Sequence, residues 1–121
     1  MYGKIDPEKI AAVDLSFFAG SFLTQICFGV ADISLHFDRP SVSVVTQANF
    51  LYSLNGQLQT CSVEMGHLLR PFLNRDVVSA KWGEMGTMII SFDGEDDIRL
   101  IDESERFESF TITHAGTTII V

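Results

Sequence analysis

The sequence predicts an α+β domain that is mainly antiparallel β. Two repeats of a short helix and a β-meander would form a small barrel or a two-layer sandwich. Apolar and polar residues alternate in short segments along the chain, which is typical of half-buried strands. Turn-forming residues, such as the pair Asn55-Gly56, separate these segments. The order of segments in the first half recurs in the second, and two such halves would bury their apolar faces in one core.

The chain has the length and composition of one globular domain. It contains 121 residues, of which 46% are hydrophobic and 20% are charged, so 1–121 is predicted to be a single domain. A chain of this size buries enough surface to fold without disulfides or metals. Its apolar content, which includes ten Phe residues, is too high for a disordered segment.

No membrane span or export signal is expected. Polar residues interrupt the longest uncharged run, 15–31. Acidic residues at positions 6, 8 and 14 lie where a signal peptide would be apolar. We therefore expect a cytoplasmic protein in which Cys27 and Cys61 are reduced.

Two short helices are predicted, one at the start of each half. Asp6 can cap a helix in which Pro7 takes the first position, and Gly20 can end it, so a helix is expected over 7–18. A second helix is expected to begin after Ser62, with Pro71 disturbing its regularity.

The remaining segments are predicted to be antiparallel strands joined by tight turns. Alternation predicts strands at 22–28, 33–37, 42–44, 50–54 and 57–61, and again at 77–82, 88–92, 98–101, 107–113 and 117–121. Asn55-Gly56 has the signature of a type I′ hairpin turn.

Residue matches between the two halves predict an internal duplication, roughly 1–61 and 62–121. The offset grows along the chain, with extra residues falling at turns, where they are tolerated best. Leu15, Phe18, Gly20 and Leu23 precede Leu69, Phe72, Asn74 and Val77 by 54 positions, Phe50 precedes Phe107 by 57, and Gly56 precedes Gly116 by 60. Alternatively, the two halves are similar only because any two antiparallel β-meanders share an alternation of apolar and polar residues.

The net charge of −8 is concentrated in one segment of the chain. Nine acids lie between Glu84 and Glu108, against Arg99 and Arg106, which gives this segment a charge of −7. Such a field repels nucleic acid and attracts a basic protein. The predicted partner-binding acids are Glu84, Asp93, Glu95, Asp96, Asp97, Asp102, Glu103, Glu105 and Glu108. The alternative is that these acids only keep the domain soluble.

Three aromatic residues in or beside this acidic segment are the predicted anchors of the interface. Trp82, Phe107 and Phe110 lie close to charged residues, and aromatic residues beside charge are common in interface hot spots. The other Phe residues are expected to form the core. Alternatively, some of them line a small-molecule cavity in a β-barrel. A third possibility is a structural homodimer that pairs through an exposed strand edge such as 117–121.

No motif for catalysis or metal binding is present, so we expect neither enzymatic activity nor a cofactor. His36, His67 and His114 do not have the spacing of a metal site or a catalytic triad. Glu64 and His67 are expected to form a surface ion pair. The acids at 93–97 lack the register of a calcium-binding loop and are expected to solvate a hairpin.

Two regions carry a resemblance to a known group of proteins. One is LTQICFG at 23–29 with LHFD at 35–38, and the other runs from IISFDG at 89–94 to RFESF at 106–110. They resemble strands of small bacterial β-meander domains, some of which are similar to immunity proteins of toxin systems. The resemblance implies a bacterial protein that neutralises a basic toxin by binding it, and it transfers no catalytic residue.

Overall fold

The computed structural model describes residues 12–47, 50–101 and 109–121, which form ten antiparallel strands. The prediction of a mainly antiparallel β domain is confirmed. The first half of the chain provides β1 (Phe22–Phe28), β2 (Ile33–Asp38), β3 (Val42–Thr46), β4 (Phe50–Leu54) and β5 (Gln57–Cys61). The second half provides β6 (Val77–Trp82), β7 (Met88–Phe92), β8 (Asp97–Leu100), β9 (Phe110–His114) and β10 (Thr117–Ile120).

The strands form two sheets of five, and each sheet takes strands from both halves of the chain. The order is β1-β2-β3-β9-β10 in the first sheet and β5-β4-β8-β7-β6 in the second. Each half therefore places three strands in one sheet and a hairpin in the other. Advancing every strand by five positions converts one order into the other. Neither sheet closes on itself through the described strands, so the predicted barrel is not observed.

The two sheets are joined where β1 and β6 begin. The backbone N–H of Gly20 donates to the carbonyl of Val77 at 2.9 Å, and the N–H of Asn74 donates to the carbonyl of Leu23 at 2.7 Å. The two bonds are reciprocal. The donors, Gly20 and Asn74, lie 54 residues apart, and so do the acceptors, Leu23 and Val77. Gly20 and Asn74 both have positive φ, which glycine and asparagine tolerate best.

The hairpins β4–β5 and β9–β10 also correspond. Phe50 begins β4 and Phe110 begins β9, 60 residues later, and the same offset relates Gly56 and Gly116 in the two turns, both at φ +80°. Phe110 therefore takes the position equivalent to Phe50 that the sequence comparison assigned to Phe107, which lies outside the described residues.

One face of each sheet supplies the core. In β2, β3 and β7, buried and half-buried positions alternate, as the period-two pattern predicted. The rings of Phe18 and Phe37 meet edge to face at 5.5 Å between centroids, and those of Phe72 and Phe92 lie 4.9 Å apart. The Phe side chains with less than 2% exposure are Phe18, Phe50, Phe72, Phe92 and Phe110.

Helical structure in the described residues is limited to 3-10 segments. They are η1 (Ser16–Phe18), η2 (Val63–Phe72), η3 (Glu84–Gly86) and η4 (Asp93–Glu95). The second predicted helix is present as η2, which includes Pro71. Among these residues, no helix is long and apolar enough to cross a membrane.

The first predicted helix is wrong over its described part. Residues 12–15 are not helical, and only η1 follows them. The Asp14 carboxylate accepts the Ser16 N–H at 2.9 Å, and this local bond competes with helical pairing. The same bond lowers the pKa of Asp14 below its ordinary value. The segment 7–11 lies outside the described residues.

Gly66 brings η2 close to the first sheet. A Cβ atom at this position would lie 2.1 Å from Cδ1 of Ile33, a buried side chain, and 3.1 Å from the Phe28 ring. We expect Gly66→Ala to reduce the free energy of unfolding by about 1–3 kcal/mol, because the extra methyl group overpacks this contact. Urea unfolding tests this, with Gly56→Ala as a contrast at a position where strain comes from positive φ and no atom lies within 4 Å. Restoration of stability by Ile33→Val in the Gly66→Ala background would identify the steric contact as the cause.

Candidate functional site

The structure separates the acids that the sequence grouped into one docking face. Glu84 lies in η3 before β7, whereas 93–97 follows β7. The five residues of β7 hold these two groups about 17 Å apart, at opposite ends of the second sheet. The predicted acids Asp102, Glu103, Glu105 and Glu108 and the predicted anchor Phe107 lie outside the described residues.

Asp96 points into the protein and holds three segments together. It is 6% exposed. One carboxylate oxygen, Oδ1, accepts the backbone N–H of Asn55 in the β4–β5 turn at 2.9 Å. The other, Oδ2, accepts Nη1 of Arg75, just before β6, at 2.8 Å. Asp96 thus has a structural role and offers little surface to a partner.

Arg75 connects Asp96 to Asp93, whose side chain is 57% exposed. Its Nε donates to Oδ1 of Asp93 at 3.0 Å, and its Nη2 donates to the Asp93 carbonyl. Burial lowers the pKa of Arg75, but the hydrogen bonds and charges of both aspartates outweigh burial and raise it overall. Arg75 therefore stays charged and compensates part of the acidity of this turn.

Asp97 is paired with an arginine, whereas Glu95 faces solvent. Asp97 begins β8 and accepts Nε of Arg99 at 3.0 Å, a hydrogen bond that raises the pKa of Arg99. Glu95 is exposed and lies at φ +68° in the turn between β7 and β8. Of the four acids at 93–97, Glu95 and Asp93 are the ones that face solvent.

A row of residues with three aspartates crosses the junction of the two sheets. Phe22 pairs with Asp38 of β2 on one side and with Asp76 on the other. The Asp93 N–H donates to the Asp76 carbonyl at 3.1 Å, which continues the row to the first residue after β7. Residues directly opposite one another in an antiparallel pair project from the same face. We call Asp38, Phe22, Asp76 and Asp93 the acidic row.

The acidic row is strongly negative and faces outward. Asp38, Asp76 and Asp93 are exposed, whereas the next residue after Phe22, Leu23, is fully buried. The row has three carboxylates, and the exposed Glu95 adds a fourth beside it, against the guanidinium groups of Arg39 and Arg75. Arg39 lies over the Phe22 ring, 5.8 Å from its centroid.

Sequence reasoning missed Asp38 and Asp76 as members of this surface. They lie far from 93–97 along the chain and join it only through the contact between β1 and β6. One signal pointed to Asp38, because Phe37-Asp38 and Phe92-Asp93 end equivalent strands in the two halves. No comparable signal marked Asp76, which pairs with Phe22 through a single isolated bridge.

The two described anchor residues are not exposed beside the acidic row. Phe110 is 1% exposed. Trp82 is half-buried, donates from Nε1 to the Val13 carbonyl at 3.0 Å, and stacks near Phe110 at 6.4 Å between centroids. Trp82 also lies at the far end of β6 from Asp76. Both rings contribute to packing between the sheets.

The histidines belong to no metal-binding cluster in the described part of the chain. His36 Nδ1 lies 3.0 Å from the Ser43 hydroxyl, and His114 stacks on Phe17 at 4.1 Å. Glu64 and His67 are exposed, as expected, but the predicted ion pair between them is absent. Within 12–47, 50–101 and 109–121, no three His, Cys, Asp or Glu residues cluster as metal ligands would.

Both cysteines are free thiols. Cys61 is buried, its Sγ donates to the Met65 carbonyl at 3.2 Å, and burial raises its pKa. Cys27 is half-buried on β1. A raised pKa lowers the thiolate fraction, so Cys61 is suited to packing and not to nucleophilic chemistry.

Comparisons with known proteins give no information about the function of this chain. No protein family, no curated protein and no solved structure matches this chain. The acidic row is the most distinctive charged feature of the described surface.

Proposed function

We propose that the chain is a non-enzymatic protein-binding domain that captures a basic partner through the acidic row. The specific partner we propose is a toxin domain, with this chain as the immunity protein that neutralises it. The observation that carries the proposal is the alignment of Asp38, Asp76 and Asp93 across the junction of the two sheets.

The acidic row suits the capture of a basic protein for two reasons. Asp38 ends β2, and Asp76 and Asp93 lie next to β6 and β7 with their backbones hydrogen-bonded, so little backbone entropy is lost when a partner binds. Phe22 lies among them, and an aromatic ring surrounded by charge is a common centre of binding energy. The negative field would also accelerate association with a basic protein and make binding sensitive to salt.

A pull-down with matched variants tests the proposed surface. The immobilised chain is exposed to lysate of the source cell at low and high salt, and retained proteins are identified by mass spectrometry. We expect one basic protein to be retained at low salt and released at high salt. Its affinity for the purified chain is then measured for Asp38→Asn/Asp76→Asn and for the control Glu64→Gln/Glu84→Gln.

Both double variants remove two exposed negative charges, but only the first changes the acidic row. We expect the first to weaken binding about tenfold or more, since each charge contributes to a complementary interface. The control should bind within about twofold of the unaltered chain. Equal affinities for the two variants would exclude the acidic row as the docking surface.

We also propose that the fold is an internal duplication in which two halves, roughly 1–61 and 62–121, form a two-layer sandwich. The cyclic relation between the strand orders supports this, as do the reciprocal hydrogen bonds at Gly20 and Asn74. Each of the edge strands β1 and β6 has a register shift of one residue, between Leu23 and Gln25 and between Val77 and Ser79. The positions match at an offset of 54 residues.

A structural homodimer is the second candidate function, because β10 is an edge strand of the first sheet. Its Thr117 and Thr118 are exposed, so the strand offers backbone groups to a second copy. A concentration-dependent molecular mass in light scattering would favour this candidate. The small-molecule barrel receives less support, because the fully buried Phe side chains pack against other residues of the core.

A further inference from the structure

Two surface grooves lie at equivalent places in the two halves. The first, which we call the β1 groove, lies between β1 and η2 and has a volume of about 300 Å³; its lining includes Thr24, Gln25, Phe28, His67, Arg70 and Leu73. The second lies between the 12–19 segment and β6, with a volume of about 680 Å³; its lining includes Val13, Ser16, Ala19, Ser79 and Trp82. Most lining residues of one groove lie 54 positions from those of the other.

The β1 groove has a basic wall. His67, Arg70 and Leu73 are three residues apart, and a 3-10 helix places such residues in line on one side. Arg70 is exposed and forms no ion pair with another described residue. No Asp or Glu is among the described residues that line the groove. In a chain of charge −8, this is a local site of opposite sign.

The other surfaces of the groove are polar and apolar. The β1 side contributes Thr24 and Gln25, where the register shift of the strand lies. The apolar part includes Phe28, which is 60% exposed, and Leu73. The Phe28 ring lies close to η2, since a Cβ atom at Gly66 would be 3.1 Å from it.

We propose that the β1 groove binds a small amphipathic carboxylate. The Arg70 guanidinium can pair with the carboxylate through two parallel hydrogen bonds, and the Gln25 amide can donate a further one, whereas the Thr24 hydroxyl already donates to the His36 carbonyl at 3.0 Å. The apolar part of the ligand covers Phe28 and Leu73, which removes their exposed surface from water. The groove volume is at the lower limit of ligand pockets, which fits a small molecule rather than a peptide.

The second groove lacks this combination, although it lies at the equivalent place. Ser16 replaces Arg70 and Val13 replaces His67, at offsets of 54 residues. Its one basic side chain in the described lining, Lys81, shares the groove with Asp14. We therefore assign the carboxylate site to the β1 groove alone.

Titration with octanoate, followed by amide chemical shifts of the ¹⁵N-labelled chain, tests the site. Octanoate should shift the amides of Thr24, Phe28 and Arg70 and bind at least about tenfold more tightly than octanamide, its neutral analogue. Arg70→Gln should weaken octanoate binding about tenfold and leave octanamide binding unchanged. The control Arg39→Gln removes the same charge at the acidic row and should bind octanoate as the unaltered chain does.

Three results would overturn the proposal. They are equal affinities for octanoate and octanamide, an undiminished affinity in Arg70→Gln, and shifts confined to the second groove. Absence of any shift at the solubility limit of octanoate would do the same. Octanoate binding in the β1 groove requires neither the acidic row nor a protein partner, so its outcome is independent of the proposed function.

Discussion

Phe18→Ala and Phe72→Ala are each expected to lower the free energy of unfolding by about 3–5 kcal/mol. Both side chains are fully buried, so each substitution removes a large apolar contact area and leaves a cavity. Each ring also contacts a phenylalanine at the end of an equivalent strand, Phe37 for Phe18 and Phe92 for Phe72. We therefore expect both losses to fall within this range.

Urea unfolding of the two variants checks this expectation. Phe28→Ala is the matched control, because Phe28 is 60% exposed and its removal creates no enclosed cavity. It should cost less than about 1 kcal/mol. A loss below about 1 kcal/mol in only one of the two buried variants would show that the two positions are not equivalent in the core.

Asp96→Asn is expected to cost about 2–4 kcal/mol, although the substitution changes few atoms. The amide that replaces Oδ2 cannot accept the hydrogen bond from Arg75, and two donors then face each other in a nearly buried site. Asp93→Asn is the matched control. Asp93 binds the same guanidinium, but its exposure limits the expected cost to about 1 kcal/mol or less.

Denaturant unfolding of these two variants, at equal ionic strength, provides the measurement. A cost for Asp96→Asn no greater than that for Asp93→Asn would contradict the structural role of Asp96. The same measurement on the double variant Arg75→Gln/Asp96→Asn, in which both charges are absent, provides a second test. The double variant should lose less unfolding free energy than the sum of the losses of the two single variants, because neither partner is left as an uncompensated charge.

Local patterns predicted the strands well where turn chemistry agreed with alternation. The hairpin at 50–61 and the strands β6 and β7 have the predicted bounds. The helix over 7–18 was predicted from a capping pattern, but in its described part the Asp14 side chain bonds to the backbone and η1 begins only at Ser16. Helix propensity does not predict this competing bond, because the bond depends on the geometry of the Asp14 side chain.

The candidate site was less accessible to sequence reasoning than the fold. The acids at 93–97 look alike in the sequence, yet Asp96 is nearly buried while Glu95 is exposed. The difference depends on Arg75 and Asn55, which approach only in the folded chain. Likewise, the contact between Phe22 and Asp76 joins distant segments, and no local pattern encodes it.

The exchange of hairpins between the sheets makes the two halves interdependent during folding. In the first sheet β3 pairs with β9, and in the second β4 pairs with β8, so both central pairings join strands far apart in sequence. Such pairings give a high contact order, and loop closure must precede most of the stabilising contacts. A chain truncated after β5 would keep β2 beside β3 and β5 beside β4, but it would lack β9 and β8, the neighbours on the other side. The first half on its own would therefore expose an unpaired edge on both β3 and β4, so it is not an independent folding unit.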